Sequence, residues 1–380
     1  MARHYLDHAS TTPLRPEART AMADWEREGV TADPGRVHAE GRMVRSALEA
    51  AREQVAGLFG VRPRQVVFTS GGTEAINAAV WGATSGRPGP IACAEVEHSA
   101  VRQASERSGP VVTIPVDSLG RIGAVEDALE RCRSVHGRDP VLVHCQWANH
   151  EVGTVQPVAE VVERCRPVGA LVHVDAAAAA GHLPIDLGQN EADLVSVSAH
   201  KLGGPAGVGA LIVRRGLRVD PLLVGGEQER ARRAGFENVM GAIGFGAAAA
   251  ALASAGTLGA EAEAARSQTE RLTKVATTVD GVRVLGDPVD RLPHIVCLAV
   301  DGVEAEPVLL GLDQSGIAVH SGSSCSSETL EPSPVLAAMG VDAERSLRVS
   351  VGWPTTDADV DAFGSAFAPV VDGLRALRRG

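Results

Sequence analysis

Short apolar, β-branched runs alternate with stretches of helical spacing from about residue 65 onward. The runs are Val66 to Thr69, Ile91 to Ala94, Val111 to Val116, Val141 to Gln146, Leu171 to Val174, Leu194 to Val197 and Val208 to Val213. Each has the length and the continuous apolarity of a strand buried on both faces. Between them, residues 73–81, 123–134 and 156–166 carry the periodicity of a helix with one buried face. Two further helical patterns, 16–28 and about 41–59, precede the first run, and Tyr5-Leu-Asp7 opens the chain as a short strand. Strands that alternate with helices predict an α/β fold, a mainly parallel sheet with helices on both faces. In such sheets ligands sit at the carboxyl ends of the strands.

Composition narrows the reading without deciding it. The chain has 380 residues, 44% of them hydrophobic and 22% charged, ordinary values for a globular protein with a sizeable core. Its net charge of −11 argues against a nucleic-acid or membrane surface. No apolar run reaches the length of a membrane span, and no signal-peptide core stands at the start, so the expected compartment is the cytoplasm. Six cysteines (93, 132, 145, 165, 297 and 325) lack CxxC spacing, which argues against a metal site or a disulfide framework. Five lie in apolar or helical runs and are expected in the core.

One lysine changes the picture. Of 36 Lys plus Arg, only Lys201 and Lys274 are lysines. Lys274 lies in a polar helical run, Gln268 to Val275. Lys201 follows a predicted buried strand in Ser196-Val-Ser-Ala-His-Lys-Leu-Gly-Gly-Pro-Ala-Gly-Val-Gly209, where glycines and Pro205 curve the chain tightly. A primary amine condenses with an aldehyde to give a Schiff base, and a guanidinium does not. The working hypothesis is therefore a pyridoxal phosphate enzyme anchored at Lys201. Such a site needs a phosphate cradle, a carboxylate for the pyridine nitrogen and a flat group against the ring. Ser70-Gly-Gly-Thr-Glu-Ala75 follows a strand and opens a helix, and its amides and the Thr73 hydroxyl suit a phosphate. His98 follows the Ile91 strand, and Asp175 ends the Leu171 strand, where a buried carboxylate requires a cationic partner. Each piece alone also reads as an ordinary turn or cap. Their shared position at strand ends is the signal.

A second polar segment is Ala318-Val-His-Ser-Gly-Ser-Ser-Cys-Ser-Ser-Glu328, where Cys325 stands among serines rather than in an apolar run. An exposed thiol that ionises is a nucleophile. The following strand, Leu347-Arg-Val-Ser-Val351, carries Arg348, a residue suited to clamp an amino-acid carboxylate through two parallel hydrogen bonds.

These residues together resemble the cysteine desulfurases, pyridoxal phosphate enzymes of the aminotransferase fold. The resemblance runs from Tyr5-Leu-Asp7 to Arg348-Val-Ser-Val-Gly352. It includes Ser70-Gly-Gly-Thr-Glu74, Glu97-His98, Asn149-His-Glu-Val-Gly153 with Gln156, His173-Val-Asp175, Ser198-Ala-His-Lys201, and Ser321-Gly-Ser-Ser-Cys325 with Leu330-Glu-Pro-Ser333. The long cysteine segment is similar to the branch that serves nitrogenase and housekeeping iron–sulfur assembly. The resemblance implies a fold-type I transferase with a seven-stranded, mainly parallel sheet and a smaller α+β domain. The expected division is a large domain over 14–255, and a small domain of 1–13 with 256–380. It implies that Lys201 holds the cofactor and shuttles protons, Asp175 pairs with the ring nitrogen, and His98 stacks on the ring and acts as acid and base. Gly72, Thr73, Ser198 and His200 are expected to bind the phosphate, and Asn149 to contact cofactor and substrate. Arg348 is expected to hold L-cysteine, while Cys325 takes its sulfur as a persulfide, leaving alanine.

The chain also departs from the family's pattern. Ala178 stands where the family usually has a glutamine that touches the ring's phenolic oxygen, and His150 replaces the second residue of the usual Asn-Asn pair. Phe236 occupies a stretch in which the family commonly has a threonine that reaches the partner subunit's phosphate. The chain stops at Gly380 without the tail that the housekeeping branch uses to dock its scaffold. The expectation is a homodimeric, specialised sulfur donor. Its acceptor would be an iron–sulfur scaffold or a dedicated thiolation enzyme, DNA phosphorothioation being one example, without direct nucleic-acid or membrane binding. The alternative is a C–S or selenocysteine lyase of the same fold that does not use Cys325.

Overall fold

The computed structural model describes residues 3–190, 192–321 and 333–379. Its central sheet has seven strands: β1 (Val66–Thr69), β2 (Ile91–Ala94), β3 (Val111–Ile114), β4 (Leu142–His144), β5 (Leu171–Asp175), β6 (Leu194–Ser198) and β7 (Gly209–Val213). They lie in the order β1-β7-β6-β5-β4-β2-β3. The pairs from β6 through β5, β4 and β2 to β3 are parallel, and β7 runs antiparallel to both β1 and β6. Every residue of β1, β2, β4, β6 and β7 is buried, so these strands read in sequence as continuous apolar runs. The limits of β1 and β2 coincide with the expected ones. β3 ends at Ile114 rather than Val116, before Pro115, which has no N–H for the ladder.

Register lines up the strand ends that matter. His144 stands opposite His173, and Asp175 opposite Ser196, so the carboxyl ends of β4, β5 and β6 share one edge. Helix Gly72–Thr84 crosses one face of the sheet, while helix Ala39–Leu58 packs on Val239–Ala253. That second contact is close: a Cβ on Gly246 would stand 2.8 Å from the Cα of Ala51. Small residues along Val239–Ala253 are what let the two helices approach.

A second, antiparallel sheet has four strands: β8 (Val282–Leu285), β9 (Ile295–Val300), β10 (His320–Ser321) and β11 (Ser346–Ser350) in the order β10-β11-β9-β8. The first strand, His4–Tyr5, pairs in parallel with Ile317–Ala318. Leu6 is buried in the apolar cluster with Val349, Phe363 and Phe367. The N-terminus is thereby tied to the C-terminal third, and it delivers Asp7 and Ser10 to the strand that bears Arg348.

One buried ion pair ties helix Ala39–Leu58 to the segment around Glu229. Arg52, on helix Ala39–Leu58, meets both oxygens of Glu229 at 2.5 and 2.7 Å, and both side chains are 1% exposed. The same carboxylate accepts the Phe68 N–H of β1 at 2.9 Å. Glu229, Arg230 and Ala231 all have positive φ, a conformation costly for L residues that the pair holds in place. Arg52→Ala leaves the Glu229 charge buried without its partner, and it is expected to lower stability by about 3–5 kcal/mol in urea denaturation. A loss below about 1 kcal/mol would show that the pair is not what secures this corner.

Candidate active site

Most of the residues that line a cavity of about 240 Å³ come from the segments just past five strand ends. Gly72 and Thr73 follow β1, His98 follows β2, Gln146, Ala148 and His150 follow β4, Ala177 and Ala178 follow β5, and His200 and Lys201 follow β6. Asp175 and Ser198 are the last residues of β5 and β6. Five chain segments, far apart in sequence, converge because parallel strands end on one edge.

Gly72 and Thr73 start a thirteen-residue helix, so their backbone N–H groups lack intrahelical acceptors and face the cavity's end. Ser198 stands beside them, its Cβ 3.5 Å from where a Gly72 Cβ would lie. A Cβ on Gly209 would come within 2.8 Å of Gly71, so only glycine at the start of β7 lets this turn close down. Burial and Lys201 lower the His200 imidazole to about 4, so it is neutral near pH 7. This end of the cavity offers amides, hydroxyls and a neutral imidazole, a donor set suited to a phosphate.

Asp175 and His98 form the second group. Asp175 accepts the Ala177 N–H at 2.9 Å. Burial pushes its carboxyl upward, opposed by His98, the Ala177 N–H and Lys201. Burial pulls the His98 imidazole down, Asp175 opposes that, and Lys201 and Arg102 add to it. His98 Nδ1 accepts the Ala100 N–H at 3.1 Å, which fixes the ring at the start of helix Ser99–Ser108. A carboxylate in this setting gains from a cation brought to it. The Lys201 ammonium donates to the Ala9 carbonyl of the N-terminal segment.

The third group surrounds Arg348, which is 1% exposed. Nη1 donates to the His150 carbonyl at 2.9 Å, while Nη2 donates to Asp7 Oδ1 at 2.9 Å and Ser10 Oγ at 2.6 Å. Its buried Nε has no hydrogen-bond partner. The guanidinium therefore keeps two N–H groups without a partner, on Nε and Nη1, because Asp7 and Ser10, more than 330 residues away in sequence, occupy both N–H groups of Nη2.

Asn149 is not brought to the cavity. Its Oδ1 accepts the N–H groups of Glu151 and Val152 at 2.8 and 2.9 Å, and its Nδ2 donates to the Val96 carbonyl at 3.2 Å. It is fully buried and shapes the turn that presents its neighbour, His150. An asparagine that caps N–H groups two and three residues on is a recognisable turn signal, and the sequence contains it. Cys325 lies outside the described residues. The other five cysteines are buried. Burial raises the thiols of Cys132 to about 11, of Cys165 and Cys297 to about 12, and pushes Cys93 and Cys145 well upward. None of the five lines the cavity.

The chain is similar to known proteins over nearly its whole length. The chain is 41% identical to a cysteine desulfurase of Cereibacter sphaeroides, a match covering 99% of this chain and 98% of that protein. It is 36% identical to the cysteine desulfurase IscS of Dictyoglomus turgidum, over 98% of this chain and 95% of that one. Among solved structures, the NifS-like protein from Rickettsia africae superposes with a TM-score of 0.87 at 28% identity, covering 97% of this chain and 99% of the other. The family described as aminotransferase class-V matches residues 4–363, and this chain belongs to that family.

Proposed function

We infer that the chain is a pyridoxal 5'-phosphate-dependent cysteine desulfurase, which converts L-cysteine to L-alanine and passes the sulfur to a cysteine of its own as a persulfide. The observation that carries this reading is the convergence of Lys201, Asp175, His98 and Arg348 on one cavity that ends in a helix N-terminus. The donor set fits the cofactor: amides and hydroxyls for a phosphate, a buried carboxylate for a cationic ring nitrogen, and a primary amine for an aldehyde. When bound, the cofactor supplies an electron sink that weakens the bond between the substrate's β-carbon and its sulfur.

The chain's own residues do the rest. Gly72, Thr73, Ser198 and His200 would hold the phosphate, Asp175 would keep the ring nitrogen protonated, and His98 would support the ring. Lys201 holds the cofactor through its amine and then moves protons. Arg348 turns its unused N–H groups, on Nε and Nη1, to the substrate carboxylate, with Asp7 and Ser10 holding the guanidinium in place. Cys325 accepts the sulfur.

Leu223, Val224 and Phe236 are exposed, Phe236 in a cavity it shares with Ser70, and we assign this face to a second copy of the chain. The acceptor beyond Cys325 is a protein thiol or scaffold of a dedicated pathway. Among the described residues no single helix is long and apolar enough to cross a membrane, which accords with a cytoplasmic enzyme.

The test is direct. Purified protein with pyridoxal phosphate, L-cysteine and a reductant should release alanine and sulfide in equal amounts, and no alanine would refute the reading. Arg348→Ala should raise KM for cysteine about tenfold or more, since a charge-assisted bond to the substrate is lost. Unchanged kinetics would move the carboxylate site elsewhere.

A further inference from the structure

Three histidines stand in the wall of the cavity, and the chemistry above uses His98 and His200 but not His150. His98 sits at the ring end, where it feels the Asp175 carboxylate. His150 sits at the substrate end, its carbonyl oxygen bonded to Arg348 at 2.9 Å. The two rings meet edge to face, with centroids 5.3 Å apart and planes at 62°. Behind His150 lies Glu151, with a 1% exposed side chain and its Oε1 3.6 Å from His150 Nε2. The other carboxylate oxygen, Oε2, accepts from Ser333 Oγ at 2.5 Å. Ser333 in turn caps helix Pro334–Ala338 by accepting the Leu336 N–H. Asn149 Oδ1 holds the Glu151 N–H at 2.8 Å. Both sides of Glu151 are thus fixed, and its carboxylate is held against the imidazole.

At 3.6 Å the carboxyl and the imidazole lie close without a hydrogen bond between them, and a charge on one is felt by the other. Burial raises Glu151 to about 7, opposed by Ser333, Arg348 and Arg102. Burial pulls His150 well below its ordinary value, and His98, Arg348, Lys201 and Arg102 act in the same direction. The two shifts are opposite in sign and leave the carboxyl as the group that takes a proton first, so the imidazole stays neutral and able to accept one. The titratable and charged groups that face the pair are His98, Lys201, Arg102 and Arg348, together with the Cys297 thiol on the Glu151 side. A neutral imidazole beside a substrate clamp, backed by a carboxyl that takes its proton near neutrality, is an arrangement that acid–base catalysis can use.

We propose that His150, positioned by Glu151, is a second acid–base residue of the desulfuration, taking the proton of the substrate thiol and returning it to the carbon that the sulfur leaves. The proposal rests on the desulfurase reading above. In this step the S–H proton passes to the imidazole, and the carbon–sulfur bond breaks with its electron pair left on carbon. The sulfur joins the acceptor thiolate as a persulfide, and the carbon takes the proton back as the methyl group of alanine. The acceptor sulfur is oxidised and the carbon is reduced, so no outside oxidant or reductant enters. His150 is the catalytic residue and Glu151 its positioning residue.

The test uses the holoenzyme labelled with ¹⁵N-histidine, without substrate, across the pH range around neutrality. The His150 resonances, identified by their loss in His150→Asn, should titrate once, and Glu151→Gln should abolish that titration. Resonances that are flat, or the same in wild type and Glu151→Gln, would overturn the pairing. In turnover, His150→Asn at wild-type cofactor content should lower kcat about tenfold or more and leave KM within about twofold. It should also remove one inflection from the pH profile. Unchanged kcat and profile would overturn the catalytic role, and this arm stands even if Glu151→Gln fails to fold. A wild type that makes no alanine would instead sink the desulfurase reading, a failure distinct from both.

Discussion

Lys201→Ala should yield a protein that no longer holds pyridoxal phosphate covalently and that turns over cysteine at least about 10³-fold more slowly. The size of the effect follows from what surrounds the residue. The chain has two lysines, and the other, Lys274, is an exposed residue of helix Thr257–Ala276. No second amine can therefore stand in for the first. Lys201 follows β6 by a single turn, and Asp175 on the neighbouring strand and His98 share its cavity. Borohydride reduction followed by mass spectrometry of the digested protein reads the bond directly. Wild type should carry the cofactor's mass on the peptide that contains Lys201, and the variant should carry it nowhere. A fixed cofactor and a visible absorbance retained in Lys201→Ala would transfer the anchor to another residue.

Much of this arrangement is legible in the sequence because the strands are buried on both faces. An apolar, β-branched run flanked by turn residues is unambiguous in that setting, which is why Val66–Thr69 and Ile91–Ala94 are found to the residue. The antiparallel sheet is less visible. Val282–Leu285 is half exposed and alternates with Arg283, and its partner strand, Ile295–Val300, begins only after a stretch rich in turn residues. The candidate site is legible where a side chain's role follows from its place at a strand end, as with Asp175 and Lys201. It is not legible where two adjacent residues compete. Asn149 and His150 are neighbours, and residue type favours Asn149 as a ligand. The turn geometry instead spends the Asn149 amide on the backbone and turns His150 to the cavity. Nor does the sequence reveal that Asp7 holds Arg348, because that contact joins the first strand segment to one near the end of the chain.

The second large effect concerns Cys325. Desulfuration by this reading needs a thiolate that meets the substrate's sulfur, and the five other cysteines are buried with their thiols held protonated. None can substitute. Cys325→Ala should therefore retain cofactor, absorbance and fold while losing alanine formation by about 10²-fold or more. A lyase that expels sulfur without a protein thiol would be indifferent to the change. The measurement that separates the two follows alanine and sulfide together, from L-cysteine and a reductant, for wild type and Cys325→Ala at matched cofactor content. Equal alanine and sulfide from wild type, with neither above background from the variant, is the predicted result. Alanine and sulfide formed equally fast by both proteins would contradict the persulfide route and return Cys325 to the rank of an ordinary residue.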